Sequence, residues 1–172
     1  GAVHRFDLST GLWTRHINAV APEPQLYEGT SIFDATEDKY WMTPDWLYSI
    51  SKVSYLDGRD WTSKQTAAFE PSFTIAMEAA YGASFMDESR RLIIYHRGSR
   101  MVALDLKNPA AGWKELKLSQ PAPSAGNRWV FYPPDGSFYY RHQDEVGQTL
   151  YRLIPPTTTD AINGTWNLTA VS

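Results

Sequence analysis

Cationic and aromatic side chains gather at three short stretches: Pro44-Asp45-Trp46, Tyr95-His96-Arg97 and Tyr140-Arg141-His142. Arginine offers a planar fork of donors to carboxylates and phosphates. Histidine charges near neutrality, and tryptophan presents a flat apolar face for stacking. Trp46, His96, Arg97, Arg141 and His142 would together suit an anionic or carbohydrate group, provided that the fold brings them to one rim. Acids invite a second chemistry. Asp34 and Asp87 could form a carboxylate pair, but each ends a short apolar run and opens a polar turn, where Asp accepts hydrogen bonds from backbone amides. Both are assigned to turns. Asp45, Glu28 and Glu78 stand outside any recurring pattern. They are the acids to test for glycoside cleavage, which needs two carboxyls roughly 5–10 Å apart. His4, His16, His96 and His142 are scattered without a ligand spacing and Cys is absent, so neither a metal nor another cofactor is expected. The chain has no Gly-x-Ser-x-Gly elbow and no phosphate-cradling glycine loop.

The elements that must position these residues repeat. Trp13, Trp61, Trp113 and Trp166 recur at intervals of roughly 50 residues, and each follows a strand-like run and a turn. Those runs are Val3 to Leu8, Val53 to Asp57, Val102 to Leu106 and Leu150 to Ile154, with Asp7, Asp57 and Asp105 closing the first three. Between the Trp turns lies a second repeated unit, two short strands around a polar turn. It reads Thr30 to Asp34 then Lys39 to Met42, Ala83 to Asp87 then Arg91 to Tyr95, and Arg128 to Phe131 then Ser137 to Tyr140. Gly29, Gly82 and Gly126 open these units, where crowding near an axis favours a residue without a side chain.

Four short strands per unit, repeated at this period, predict an all-β chain of β-propeller type. It comprises three complete four-stranded antiparallel blades (strands a to d) and a partial N-terminal blade holding only c and d. The whole chain, 1–172, is read as one domain. Pro71 splits the one stretch that could be helical, Thr66 to Ala80, which is therefore read as a loop. The four Trp are expected between blades, each indole N–H reaching a carbonyl. Two strands followed by three sets of four do not close a ring, so closure is expected to draw on a missing segment or another chain.

Aromatics make up 14% of the residues, with 7 Trp and 10 Tyr, which suits strands better than helices. A net charge of −3 gives no broad attraction to nucleic acid or to an anionic membrane. No apolar run is long enough to span a bilayer, and the lack of Cys leaves the compartment open.

The stretch Arg5-Phe6-Asp7-Leu8-Ser9-Thr10-Gly11-Leu12-Trp13-Thr14 resembles the strand, turn and Trp segment of a kelch-type repeat, as in the central propeller of galactose-oxidase-like proteins. Leu104-Asp105-Leu106 with Trp113 is similar across a longer turn, and the chain lacks the Gly-Gly pair usual in such repeats. The copper-radical chemistry of galactose oxidase needs a Cys–Tyr cross-link, for which this chain has no Cys. Ser54-Tyr55-Leu56-Asp57-Gly58-Arg59-Asp60-Trp61 is similar to the Asp-box turn of sialidase-type propellers, a structural element. The resemblance implies a non-enzymatic binding or interaction module. It would take a carbohydrate, an anionic small molecule or a protein on the b–c and d–a loops. The alternative is a carbohydrate-active hydrolase or lyase with carboxylates on the same rim.

Overall fold

The computed structural model describes residues 2–17, 31–42, 52–59, 63–68, 83–124, 129–143, 147–158 and 160–171. Among them the chain is all-β, built of antiparallel sheets that follow one another along the sequence. A hairpin comes first, β1 (Ala2–Asp7) against β2 (Leu12–Ile17). Sheet II is a meander of β3 (Ser31–Asp34), β4 (Lys39–Met42), β5 (Lys52–Asp57) and β6 (Ser63–Ala68). Sheet III repeats it with β7 (Ala83–Asp87), β8 (Leu92–Arg97), β9 (Arg100–Asp105) and β10 (Trp113–Glu115). After β11 (Lys117–Leu118), sheet IV takes β12 (Val130–Tyr132), β13 (Ser137–Gln143), β14 (Gln148–Ile154) and β15 (Thr165–Ala170).

Turn chemistry explains why these segments pair as they do. Four hairpins close over four residues, with Asp7 opposite Leu12, Asp34 opposite Lys39, Asp87 opposite Leu92, and Tyr132 opposite Ser137. In each, the last loop residue is left-handed: Gly11 at φ 67°, Asp38 at 53°, Arg91 at 61° and Gly136 at 65°. The recurrent aspartates lock the turns. Asp7 accepts from the Ser9 amide at 2.8 Å, Asp34 from Thr36 at 3.1 Å, Asp87 from Arg90 at 3.1 Å and Asp105 from Lys107 at 2.8 Å. Hydrogen bonds from the Ser9 hydroxyl and amide hold Asp7 below the usual carboxylate range. Asp34 and Asp87 are thus turn residues, and their repetition serves the scaffold rather than a paired-acid site.

The central strands of sheet III are buried on both faces, which is why β8 opens on an unbroken apolar run from Leu92 to Tyr95. Leu92 and Ile94 of β8, with Met101 and Ala103 of β9, pack on Phe138, Tyr140, Leu153 and Leu168 of sheet IV. The alternate residues Ile93, Tyr95, Val102 and Leu104 turn the other way, onto Trp41 with Ile32 and Tyr55 of sheet II. The period-2 alternation of a strand therefore builds two cores from one sheet.

Trp113 and Trp166 are both 0% exposed within these cores, and the Trp166 indole donates to the Ala161 carbonyl at 2.9 Å. Trp13 corrects the expectation that all the repeated Trp are buried. It is 68% exposed, in contact with Phe6 across the hairpin at 5.0 Å between ring centroids. Its sequence context matches that of Trp113, but burial also needs a neighbouring sheet. Thr66 to Ala68, read as the start of a loop, instead end β6; the rest of that proline-split stretch, Phe69 to Ala80, lies outside the described residues, as do Trp61, Gly29, Gly82 and Gly126.

A second departure lies in how sheet IV is completed. Trp113–Glu115 pairs antiparallel with β9, and after the single residue Leu116 β11 runs parallel to β15, with Lys117 opposite Thr165 and Leu118 opposite Trp166. The Leu116 amide donates to Met101 of sheet III at 2.9 Å, and the Ser119 amide to Trp166 of sheet IV at 2.9 Å. One extended segment thus edges two sheets, and sheet IV has five strands where four were expected.

Candidate functional site

β8 and β13 are equivalent second strands of their sheets, each preceded by the same four-residue turn. Counting from those turns, His96 corresponds to Arg141 and Arg97 to His142. All four stand at the same end of their strands, as the repeat predicts. Alternation then sends them to different places. His96 follows Leu92 and Ile94 toward sheet IV, while Arg97 follows Ile93 and Tyr95 toward sheet II. His142 follows Phe138 and Tyr140 toward sheet III, and Arg141 follows Tyr139 to the outer face.

The structure therefore brings His96 and His142 together and sets the two arginines apart from them. Tyr140 lies between the imidazoles, 5.6 Å from the His96 ring and 6.1 Å from that of His142. Tyr151 closes the far side of His142 at 6.4 Å. Arg97 is buried; Arg141 is exposed and His142 half-buried. Trp46 lies outside the described residues, as do Asp45, Glu28 and Glu78, the acids singled out for hydrolysis.

His96 is 0% exposed, and both of its ring nitrogens are engaged. The Trp129 indole N–H donates to Nδ1 at 3.1 Å, which fixes the proton of the neutral ring on Nε2. Nε2–H then donates to the Pro123 carbonyl at 2.9 Å, with the Gly98 carbonyl at 3.1 Å as a second acceptor. Burial pushes the His96 pKa down to about 4 from 6.5. At neutral pH this is an uncharged, fully bonded core histidine, and a ligand at the rim does not reach it in this arrangement.

Trp129 is the member of the cluster that the sequence did not single out. It stacks on Tyr140 at 4.9 Å, and the Tyr140 hydroxyl donates to the Ser124 carbonyl at 2.8 Å. Trp129 lies 33 residues from His96, and no local pattern announces a bond across that interval.

At the rim Arg141 is exposed on the outer face of β13, and His142, half-buried on the opposite face, lies beside Tyr151. The guanidinium suits an anion through its planar fork of donors, and on the other face of the strand the imidazole and the Tyr151 ring suit hydrogen bonding and stacking. Among the described residues no group of three or more His, Asp or Glu converges as a metal site. No helix among them is long and apolar enough to cross a membrane. Compared with known proteins, the sequence matches no family model and no curated protein.

Proposed function

We propose that the chain is a non-enzymatic binding module of β-propeller type with kelch-like repeats, taking its ligand at the rim where the second strands end. One observation carries this reading. In sheet III the two rim positions, His96 and Arg97, are sunk into packing against neighbouring sheets, whereas of their counterparts in sheet IV Arg141 is exposed and His142 half-buried. A position needed only for folding should be treated alike in successive repeats. An exposed guanidinium at the strand end favours acidic sugars or other anions. Because propellers host many unrelated functions, the ligand class rests on these side chains and not on the architecture.

A glycan and anion array read with the wild-type protein, Arg141→Ala and His142→Ala tests the proposal. Capture of acidic sugars is expected to weaken at least about tenfold in each variant, the equivalent of about 1.4 kcal/mol. Thermal melting should hardly move, since substitutions at open positions change stability by about 0.5 kcal/mol or less. An array blank for the wild type, or one unchanged by both substitutions, overturns the rim site.

A further inference from the structure

Segment 119–124 leaves β11, crosses the end of sheet III and heads for β12. Side chains at the rim hold it there, together with Trp129. The Ala122 amide donates to the Ser99 carbonyl at 3.2 Å, the Ser124 carbonyl accepts from Tyr140, and the Pro123 carbonyl accepts from His96. His96 is the hub. Its ring joins the β8–β9 turn through Gly98, the crossing segment through Pro123, and the start of β12 through Trp129. We propose that His96 is an acid-released latch: a proton on Nδ1 breaks the bond from Trp129 and frees that indole from the rim between sheets III and IV, while Nε2–H keeps its carbonyl acceptors on Pro123 and Gly98.

The geometry allows no neutral accommodation of that proton. Nδ1 of the charged ring carries a hydrogen aimed at the indole N–H, 3.1 Å away, so two donors face each other. The ring is fully buried, and among the described residues no carboxylate faces it. Its strand neighbours are Ala83 on β7 and Met101 on β9, both apolar. From sheet IV it meets Tyr140 and the His142 imidazole, whose positive charge opposes a second one. Arg97 lies on the opposite face of β8. Arg100, opposite Arg97 in the ladder, shares that face and pairs with Glu115 at 2.6 Å. Opening the latch hydrates the imidazole and restores its ordinary affinity for a proton.

Acid therefore favours the open form. With the closed-state pKa near 4 and the open-state value near 6.5, the open population rises about twentyfold from pH 7 to pH 5. The rise is spent between those two values, and nothing further is gained below them. The latch does not rest on the ligand reading, because its signature is an opening and not a binding event.

Hydrogen exchange of the wild-type protein followed by NMR, corrected for intrinsic rates, reads this opening at the Trp129 indole. Between pH 7 and pH 5 it is expected to lose protection by ten- to thirtyfold, roughly the linkage factor above, while amides at the centre of β8 and β9 keep theirs. His96→Gln, which keeps a side-chain donor for Pro123 but cannot be protonated, should exchange with no such dependence. Unchanged protection at Trp129, an equal loss throughout sheet III, or a His96→Gln protein as acid-sensitive as the wild type each overturns the latch. If that variant fails to fold, the wild-type contrast between Trp129 and the centre of β8 still decides the matter.

Discussion

Trp113→Ala is expected to destabilise the protein by about 3–5 kcal/mol in urea melts, the range for large aromatic truncations in packed cores. The indole is fully buried in the cluster that joins sheets II and III, among Ile93, Tyr95, Val102, Leu104 and Trp41. Removing it empties space lined by two sheets, neither of which can close the gap without disturbing its own ladder. Trp13 is the internal control. It occupies the same place in its hairpin, opposite Phe6 as Trp113 is opposite Leu104, but lies open to solvent. Trp13→Ala should cost less than about 1 kcal/mol. Equal losses at the two sites would mean that burial, as described, does not govern them.

The second large effect is electrostatic. Asp34→Ala is expected to cost about 3 kcal/mol, because it strips the partner from a guanidinium held between two sheets. Arg91 leaves the β7–β8 turn and binds the Asp34 carboxylate through two nitrogens, one of them at 2.6 Å, with Glu37 of the same turn at 3.1 Å. Asp34 is fully buried and Arg91 largely so. Arg91 also sits at φ 61°, a strained conformation for a side chain of its size, where Gly11 and Gly136 occupy the equivalent turns. The strain is tolerated because a glycine could not reach sheet II. Burial alone would raise the Asp34 pKa, but the hydrogen bond and charge of Arg91 outweigh it and leave the pKa below the ordinary 3.8. A depressed folded-state pKa means that the stabilisation is full above the unfolded value. It is lost as pH falls through the folded one. The gap between wild type and Asp34→Ala should accordingly be widest near neutrality and close below pH ~4. A gap that persists undiminished at pH 2 would refute the ion-pair account.

Much of the fold was legible because turn chemistry and period-2 patterning are local properties of the chain. Asp34, Asp87 and Asp105 marked their turns, and the runs beside them gave strands in the right order and sense. Burial was less legible. Trp13 and Trp113 share a context, and only the presence of a packed neighbour separates them. The rim residues show the same limit. Their placement at one end of equivalent strands followed from the repeat, but the facing of His96 toward His142, and of Arg97 away from both, depends on strand parity relative to the turn. The bond from Trp129 to His96 and the parallel pairing of β11 with β15 are long-range, and nothing in the flanking residues encodes them.

That parallel pairing affects how the molecule comes apart. In stacked repeats each unit usually gains from its neighbour only through the shared interface, so stability is a sum of unit and nearest-neighbour terms. Here residues 113–118 give backbone hydrogen bonds to sheet III at one end and to sheet IV at the other. Pulling either sheet open strips hydrogen bonds from the same short segment, which ties the two melting transitions into one cooperative step. It also covers the β15 edge of sheet IV over the length of β11, a stretch of backbone that would otherwise be a template for pairing with another strand.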